Sequence, residues 1–562
     1  MEHNYIVGLN IGNHDSSAAL LKDGELIYYA EQERFSRHKL ALQEAPVDAL
    51  KYILDKNSIT LKDVEAIAIG MDWAYRNKYY QVPKSEMKRW GNIDNEDRYL
   101  PKEVFGDYRP KIYRIKHHIA HAASAYRLCN FEKSAILVID NRGEDASSSL
   151  GYVDNGKIKF FKQIDIKNSL GIFYNRACRF TGLYGKYREV GKFMGLAAYG
   201  KPNMKMPVEP SRDGKLFKGL LDLANISVHD AIQLRTEQFS EYFKSNCFPY
   251  EEGNLEEIMG YANFAASVQK TLEDVILDFV KELKEKTVLN NLVMAGGVAL
   301  NCSANGKIER SEIFENIFIP PFSSDAGTSV GAALEVNFML HGKIQTTYVL
   351  NNASLGVSYS NLEVLKVLLK YKNLLDFRQL EYNELYPIIA KYLSNGKIIG
   401  WMQGKFEAGP RALGNRSILA DPRTRKSLIQ LNKIKQREMW RPIAPSILSN
   451  KYSEYFSGSS NNKYFMNIAA YVNKDKQHLI PAVVHVDETA RPQTVSKEEN
   501  TMFFKLIEAF YKETGIPLVC NTSFNQKNIP LVNTPENALE CFLSCDIDIL
   551  VINNFIIEKR KN

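Results

Sequence analysis

Short apolar runs separated by polar turns open the chain. YIVGLNI from Tyr5 is apolar enough for a buried strand, a polar turn containing Gly12 to Asp15 precedes SSAALL, and Asp23-Gly24 is a two-residue hairpin signal before ELIYYAE. The pattern returns from Ala135. AILVID reads as a buried strand, Asn141 to Asp145 as a polar turn, SSSLGYV as a strand of small residues, and Asp154-Asn155-Gly156 as the turn into KIKFFKQID. A repeat so widely spaced indicates two similar halves of one domain rather than a solenoid.

Two strand-to-loop-to-helix units come next. LVMAGGVALNCSANGKI places Gly296 and Gly297 just after an apolar strand, where backbone can approach a ligand and a helix N-terminus can face an anion. IFIPPFSSDAGTSVGAALE repeats the plan, with prolines ending the strand and Asp325 as an N-cap candidate before a helix of small residues. Duplicated three-strand openings with Gly-rich strand ends are the plan of the actin-like ATPase fold, in which nucleotide lies between the halves. From about 335 to 380 the pattern loosens, then LYPIIAKYLSNG resumes as a helix leading to the strand KIIGWMQ. A domain boundary is expected near 370, giving domains 1–370 and 371–562.

Composition changes this picture little, but charge distribution changes it more. At 562 residues, 45% hydrophobic and 24% charged, the chain has material for several cores. No window approaches the roughly 18 uninterrupted apolar residues of a membrane span, and the start lacks a leader pattern, so a mature, unexported protein without a membrane partner is expected. The seven cysteines include no C-x-x-C, which fits a reducing cytoplasm better than a disulfide framework. The net charge of +7 is small for this length. Between Lys405 and Arg441, however, ten Lys or Arg stand against Glu407, Asp421 and Glu438. That surplus points to a local anionic ligand rather than to nucleic acid.

Three of the ten histidines lie in HHIAHAASAYRL. In a helix His117 and His121, four apart, share one face and can share a cation, while His118 points elsewhere. The bland reading is a helix with surface histidines. Asp140 ends the strand that opens the second half and Asp325 sits at the last strand-to-helix turn; they are a turn residue and an N-cap on the bland reading. Together the four suit a divalent transition metal such as iron or zinc. His14 and Asp15 form the first polar turn, where a neutral histidine can also act as general base. In GKFEAGPRALGNRSILADPRTRKSLIQLNKIKQREMWRPIAPS, Arg411 and Arg416 bracket a Gly-rich turn and Lys435 and Arg441 come after a helical stretch, giving convergent donors for phosphoryl or carbamoyl oxygens. Arg491 in HVDETARPQTV and Asn521 and Ser523 in LVCNTSFNQ add polar groups, although no G-x-S-x-G elbow surrounds Ser523.

The segments GNHDSSAALL, EQERFSRHK, HHIAHAASAY, SLGIFYNRACRFTG, EVGKFMGLAAYG, AGGVALNCSANGKI, PFSSDAGTSVGAAL, GPRALGNRSILADPR, KQREMWRPIAPS, HVDETARPQTV and NTSFN, in order from residue 5 onward, resemble the O-carbamoyltransferase family of the NodU nodulation proteins and the cephalosporin and aminoglycoside carbamoyltransferases. The resemblance implies an α/β protein with an N-terminal actin-like domain and a C-terminal YrdC-like domain. It implies that carbamoyl phosphate and ATP, with Mg²⁺, form carbamoyladenylate in the C-terminal domain. The carbamoyl group then passes to a hydroxyl of a small natural product or sugar at an iron-containing N-terminal site. By motif position His117, His121, Asp140 and Asp325 are the metal ligands and His14 the base. Asp15, Gly296, Gly297 and Asn301 lie by the adenylate, and Arg411, Arg416, Lys435, Arg441, Arg491, Asn521 and Ser523 bind carbamoyl phosphate and ATP, Lys435 and Arg441 as catalytic groups.

Two motifs depart from the family. Asp-Gly-x-Gly-Glu becomes Asp140-Asn141-Arg142-Gly143-Glu144, bringing a cation near the metal, and EVGKFMGLAAYG carries an extra Val190 and Ala198 for proline. The acceptor pocket is expected in variable segments that the sequence does not assign, with 71–110 and 201–260 as candidates, and the oligomeric state is left open, a homodimer included. A threonylcarbamoyl-type tRNA-modifying enzyme and a non-catalytic nucleotide-binding scaffold are the competing readings.

Overall fold

The computed structural model describes residues 3–83, 93–185, 189–223, 225–247, 255–342, 349–459, 461 and 463–560. Residues 84–92 and 248–254 of the expected acceptor segments lie outside these. The chain divides into two α/β units, residues 1–36 with 40–350, and residues 37–39 with 351–562. The boundary expected near 370 is therefore corrected to 350. The irregular stretch from 351 packs with the second unit: Ser354 bridges Glu407, Phe406 donates its N–H to Val357 O, and a Ser360–Glu363 capping box starts the helix Asn361–Lys370. None of those partners is visible as periodicity.

The first unit holds two five-stranded sheets of one topology. β1 (Tyr5–Asn10), β2 (Ser17–Lys22), β3 (Glu25–Glu31), β4 (Val64–Ile69) and β5 (Lys111–Arg114) lie in the order β3-β2-β1-β4-β5. β6 (Ala135–Ile139), β7 (Ala146–Asp154), β8 (Lys157–Asp165), β9 (Asn291–Ala295) and β10 (Asn316–Phe318) lie in the order β10-β9-β6-β7-β8, the same arrangement counted from the other edge. In each sheet the opening strand pairs antiparallel with the next and parallel with the fourth. The hairpin signals hold for a physical reason. Asp23 and Gly24 have φ of 52° and 88°, Asn155 and Gly156 have 49° and 75°, and only Gly, Asn and Asp tolerate two successive left-handed residues well.

Helix Thr328–His341 lies directly on β1 and on helix His117–Tyr126. Its small residues allow that. A Cβ on Gly331 would sit 1.7 Å from Ala120 O, and one on Gly8 would sit 1.9 Å from Ser329 O. These close approaches bring the histidine helix beside the turn that carries Asp325.

The second unit is one eight-stranded mixed sheet. β11 (Leu375–Gln379), β12 (Ile399–Met402), β13 (Arg416–Ala420), β14 (Ala444–Leu448), β17 (Gln493–Val495), β18 (Leu518–Ser523), β19 (Ile549–Ile552) and β20 (Phe555–Lys559) are ordered β11-β20-β19-β12-β13-β18-β14-β17. A two-stranded ribbon, β15 (Ala470–Tyr471) with β16 (Thr489–Ala490), stands apart. β12 and β19 read as fully apolar runs because both are buried throughout, and helices Tyr382–Ser394 and Thr501–Thr514 pack together over the same core.

Candidate functional site

The four residues expected to hold a metal meet. His117, His121, Asp140 and Asp325 each offer a donor atom, all within 4.8 Å of one another. The Nε2 atoms of His117 and His121 are 3.1 Å apart. Asp325 Oδ1 lies 3.5 Å from the first and 3.7 Å from the second, and Asp140 Oδ2 lies 3.5 Å from His117 Nε2. Both histidines and Asp140 are buried, whereas the Asp325 side chain keeps 24% of its surface exposed and forms the open side.

Local structure explains each placement. His117 begins its helix, and the neighbouring residue Lys116 supplies no side-chain cap; Glu144, 2% exposed, accepts the His117 N–H with both oxygens at 3.0 Å instead. The His117 ring donates Nδ1–H to Gly70 O at 3.1 Å, which turns Nε2 toward the carboxylates. Asp140 Oδ1 accepts Gly297 N–H at 2.9 Å and Oδ2 accepts Arg142 N–H at 3.2 Å. Asp325 opens a 3₁₀ turn without capping it by its side chain, so the N-cap reading fails and the carboxylate faces the imidazoles. The Asn141-Arg142 departure is accommodated: Gly143 N–H closes the loop on Ala146 O at 2.8 Å, and a Cβ at Gly143 would press on His118.

Electrostatics sharpen the picture. Burial alone would lower the pKa of His117, but hydrogen bonds and charge from Asp140 and Asp325 raise it well above the ordinary histidine value. For Asp140, burial and the neighbouring Asp325 push the pKa up, yet the imidazoles outweigh them and it falls to about 2. Asp325 is likewise held well below the usual range, against burial, by His117 and His121. His118 is pushed down to about 3 by burial and then by the other two imidazoles, so it is neutral, with Nδ1 2.7 Å from Ser149 Oγ.

The donor set fits a divalent transition metal. Ligands at about 2.0–2.2 Å from one ion stand no more than about 4.4 Å apart, so a small contraction of this cluster suffices. Two imidazole nitrogens at 3.1 Å, flanked by two carboxylates and open on one side, match the mixed N/O chemistry of iron or zinc.

His14 stands at the rim, Nε2 3.8 Å from Asp325 Oδ2 and Nδ1 3.0 Å from Asp15 Oδ2. Asp15 holds a left-handed φ of 57° because its N–H is bound by Leu40 O and its carbonyl by Asn10 Nδ2. Gly296 has φ of 92°, and a Cβ there would strike Ile139 O at 2.2 Å. Asn301 caps helix Cys302–Arg310 through Ala304 N–H and exchanges two hydrogen bonds with Gln269, so its amide is committed to the fold.

In the second unit Arg416 requires correction. It is fully buried, and its guanidinium is wrapped by the carbonyls of Gln403, Gly404, Asn415 and Val357, so it braces strand ends and presents no face to a phosphoryl oxygen. Lys435 is also buried; its Nζ holds Ser523 O at 2.6 Å, Ser523 Oγ at 2.9 Å, and both oxygens of Asn525. Burial first, then the charges of Arg437 and Arg441, push its pKa well down. Asn521 ties β18 to the Gly-rich turn through Ala412 O and to Ser446 Oγ.

Arg411, Arg441 and Arg491 remain partly exposed. Arg437, which the sequence motifs did not single out, joins them: after burial, repulsion from Arg441 and Arg491 is what depresses its pKa, to about 9. It is still a cation at neutral pH, as guanidinium is throughout proteins. Arg437, Arg441 and Arg491 therefore lie near enough to feel one another's charge, with Glu438 3.8 Å from Arg441. A run of positive residues hides which of them converge, so no signal marked Arg437.

This is a two-unit α/β protein with a His₂Asp₂ cluster in one unit and a group of neighbouring arginines in the other. The comparisons name the family. Residues 5–334 match the Carbamoyltransferase N-terminus and residues 390–559 the Carbamoyltransferase C-terminus, so the chain belongs to the carbamoyltransferase family and is a transferase. It is 35% identical to nodulation protein NolNO of Sinorhizobium fredii, over 97% of this chain and 79% of that protein. It is 34% identical to nodulation protein NolO of Bradyrhizobium diazoefficiens, over 79% of each. Among solved structures, HypF of T. kodakarensis is similar at 15% identity and a TM-score of 0.36, covering 61% of this chain and 48% of that one, which is too distant to carry an argument. The non-catalytic scaffold is set aside by the family. No helix among the described residues is long and apolar enough to cross a membrane.

Proposed function

We propose that this carbamoyltransferase is an ATP-dependent O-carbamoyltransferase acting on a hydroxyl of a small natural product or sugar. The observation that carries the reading is the separation of two constellations. The cation cradle lies in one unit and the acidic histidine cluster in the other, as a reaction in two stages requires. The paired sheets of the first unit support an actin-like domain, and the mixed sheet of the second is read as YrdC-like.

In the first stage carbamoyl phosphate is hydrolysed to carbamate and phosphate. A carbamate oxygen then attacks the α-phosphorus of magnesium-bound ATP, forming carbamoyladenylate and releasing pyrophosphate. Arg411, Arg437, Arg441 and Arg491 stabilise the charge that gathers there without reorganising. Lys435 holds the Ser523 strand end and Asn521 the Gly-rich turn.

In the second stage the acceptor hydroxyl attacks the carbamoyl carbon, a carbamate ester forms, and AMP leaves. His14 takes the hydroxyl proton on Nε2 while Asp15 holds its Nδ1–H. Gly296 and Gly297 let backbone approach the adenylate. His117, His121, Asp140 and Asp325 would hold ferrous iron or another divalent transition metal, which supplies Lewis-acid polarisation of a carbamoyl or phosphate oxygen when bound.

The test is exchange of labelled pyrophosphate into ATP by the purified protein with Mg²⁺, with and without carbamoyl phosphate. Exchange is expected to require carbamoyl phosphate and to vanish in Arg441→Ala. Exchange that runs instead on bicarbonate and threonine would overturn the reading in favour of threonylcarbamoyl chemistry.

A further inference from the structure

Glu407 is the least expected charge in the second unit. It is 1% exposed and makes no ion pair among the described residues. One oxygen, Oε1, accepts three backbone N–H groups, from Leu413 at 2.9 Å, Asn415 at 2.6 Å and Arg416 at 2.9 Å, and so moulds the turn that carries Arg411. The other, Oε2, is buried with no hydrogen-bond partner. Glu407 lines a cavity together with Ser354, Thr494, Glu499 and Asn500. Thr494 is 2% exposed, and its Oγ1 also has no partner. Three amides of the lining each commit an N–H to the fold: Gln493 Nε2 to Leu413 O, Asn500 Nδ2 to Asn415 Oδ1, and Asn352 Nδ2 to Glu499 O. The buried lining atoms without a hydrogen-bond partner are both oxygens, Glu407 Oε2 and Thr494 Oγ1, and the first belongs to a carboxylate.

We propose that this cavity binds a monovalent cation of the potassium class, held by Glu407 Oε2 and Thr494 Oγ1, which locks the Arg411 turn from behind. Its space admits little more than one water-sized occupant, which excludes an organic ligand. Potassium and ammonium are close to water in size. A cation would offset the charge of the buried carboxylate, which a water does not. Calcium would demand six to eight oxygens and usually several carboxylates, and magnesium a near-ideal octahedron. Burial raises the pKa of Glu499 despite hydrogen bonds from Ser496. The cation is thus a positioning element, distinct from the arginine cradle and from the histidine cluster of the other unit.

Thallous ion, a heavy stand-in for potassium, tests this in crystals of the full-length protein. An anomalous peak in contact with Glu407 Oε2 and Thr494 Oγ1 is expected, and a map without thallium there, an ordered water included, overturns the proposal. In solution, replacing N-methylglucamine by potassium at equal ionic strength should raise the melting temperature of the wild type and leave that of Thr494→Val unmoved. Losing this one ligand should weaken thallium affinity roughly tenfold. The hydroxyl has no protein partner to lose, so the variant is expected to fold. An equal rise in both proteins would reveal a general salt effect and sink the idea. Neither readout depends on carbamoyl transfer.

Discussion

His117 shows how one side chain is made to serve a metal. Gly70 O orients its ring, Glu144 anchors its backbone, and two carboxylates draw on its Nε2. In the metal-free protein those carboxylates raise the pKa of His117 well above its ordinary value, so its imidazolium persists through neutral pH, while Asp140, at about 2, is already ionised. A metal must displace that proton. Apparent affinity for a divalent metal should therefore rise with pH, by up to about tenfold per unit while one proton is displaced, and level off above the raised pKa. Metal titration followed by calorimetry at several pH values checks this, and an affinity that is flat or falls with pH would contradict the site. The linkage has the same sign seen from stability. The raised His117 contributes stability present below the unfolded value of about 6.5 and lost as pH rises through the folded one, and metal binding replaces it. The residue types of this centre were legible in the spacing of His117 and His121, but Glu144 was not, because a backbone N–H seeking an acceptor leaves no trace in side-chain pattern. Arg416 misled for the opposite reason. Its charge is visible in the sequence, and the four carbonyls that hold its Nη1 and Nη2 are not.

At the scale of elements, the centre depends on two helices touching. Helix His117–Tyr126 and helix Thr328–His341 meet where Gly331 faces Ala120 O, leaving no room for even a methyl group. Gly331→Ala should therefore push the helices apart, costing about 1–3 kcal/mol of stability by overpacking. It should also lower metal content, since His121 directly follows Ala120 and Asp325 lies six residues before Gly331. Denaturant unfolding beside elemental analysis of the purified variant reads both; unchanged metal content in a destabilised variant would show that the ligands are positioned some other way. The strands were readable because their signals are local: apolar runs and Asp-Gly or Asn-Gly turns that need no knowledge of the rest of the chain. The boundary at 350 was not, because residues 351–360 have no period of their own and take their structure from Phe406, Glu407 and Asn415, far onward in the chain.

For the whole molecule, the question is whether the two constellations do separable work. Every candidate ligand of the divalent metal lies within the first unit and every guanidinium of the cradle within the second. If carbamoyladenylate is made in one and spent in the other, damage to each should fail at a different step. His121→Ala removes a fully buried imidazole from the metal cluster without touching the cradle, so it should abolish carbamoylation of any accepted hydroxyl while leaving pyrophosphate exchange within about twofold of wild type, as expected for independent sites. Arg441→Ala should lose both, because transfer has no substrate once adenylation stops. Chemically prepared carbamoyladenylate then gives the decisive comparison: supplied from outside, it should restore transfer to Arg441→Ala and not to His121→Ala. Rescue of neither variant, or loss of exchange in His121→Ala with folding intact, would mean that the two units share one catalytic step and that the division inferred from their geometry is wrong.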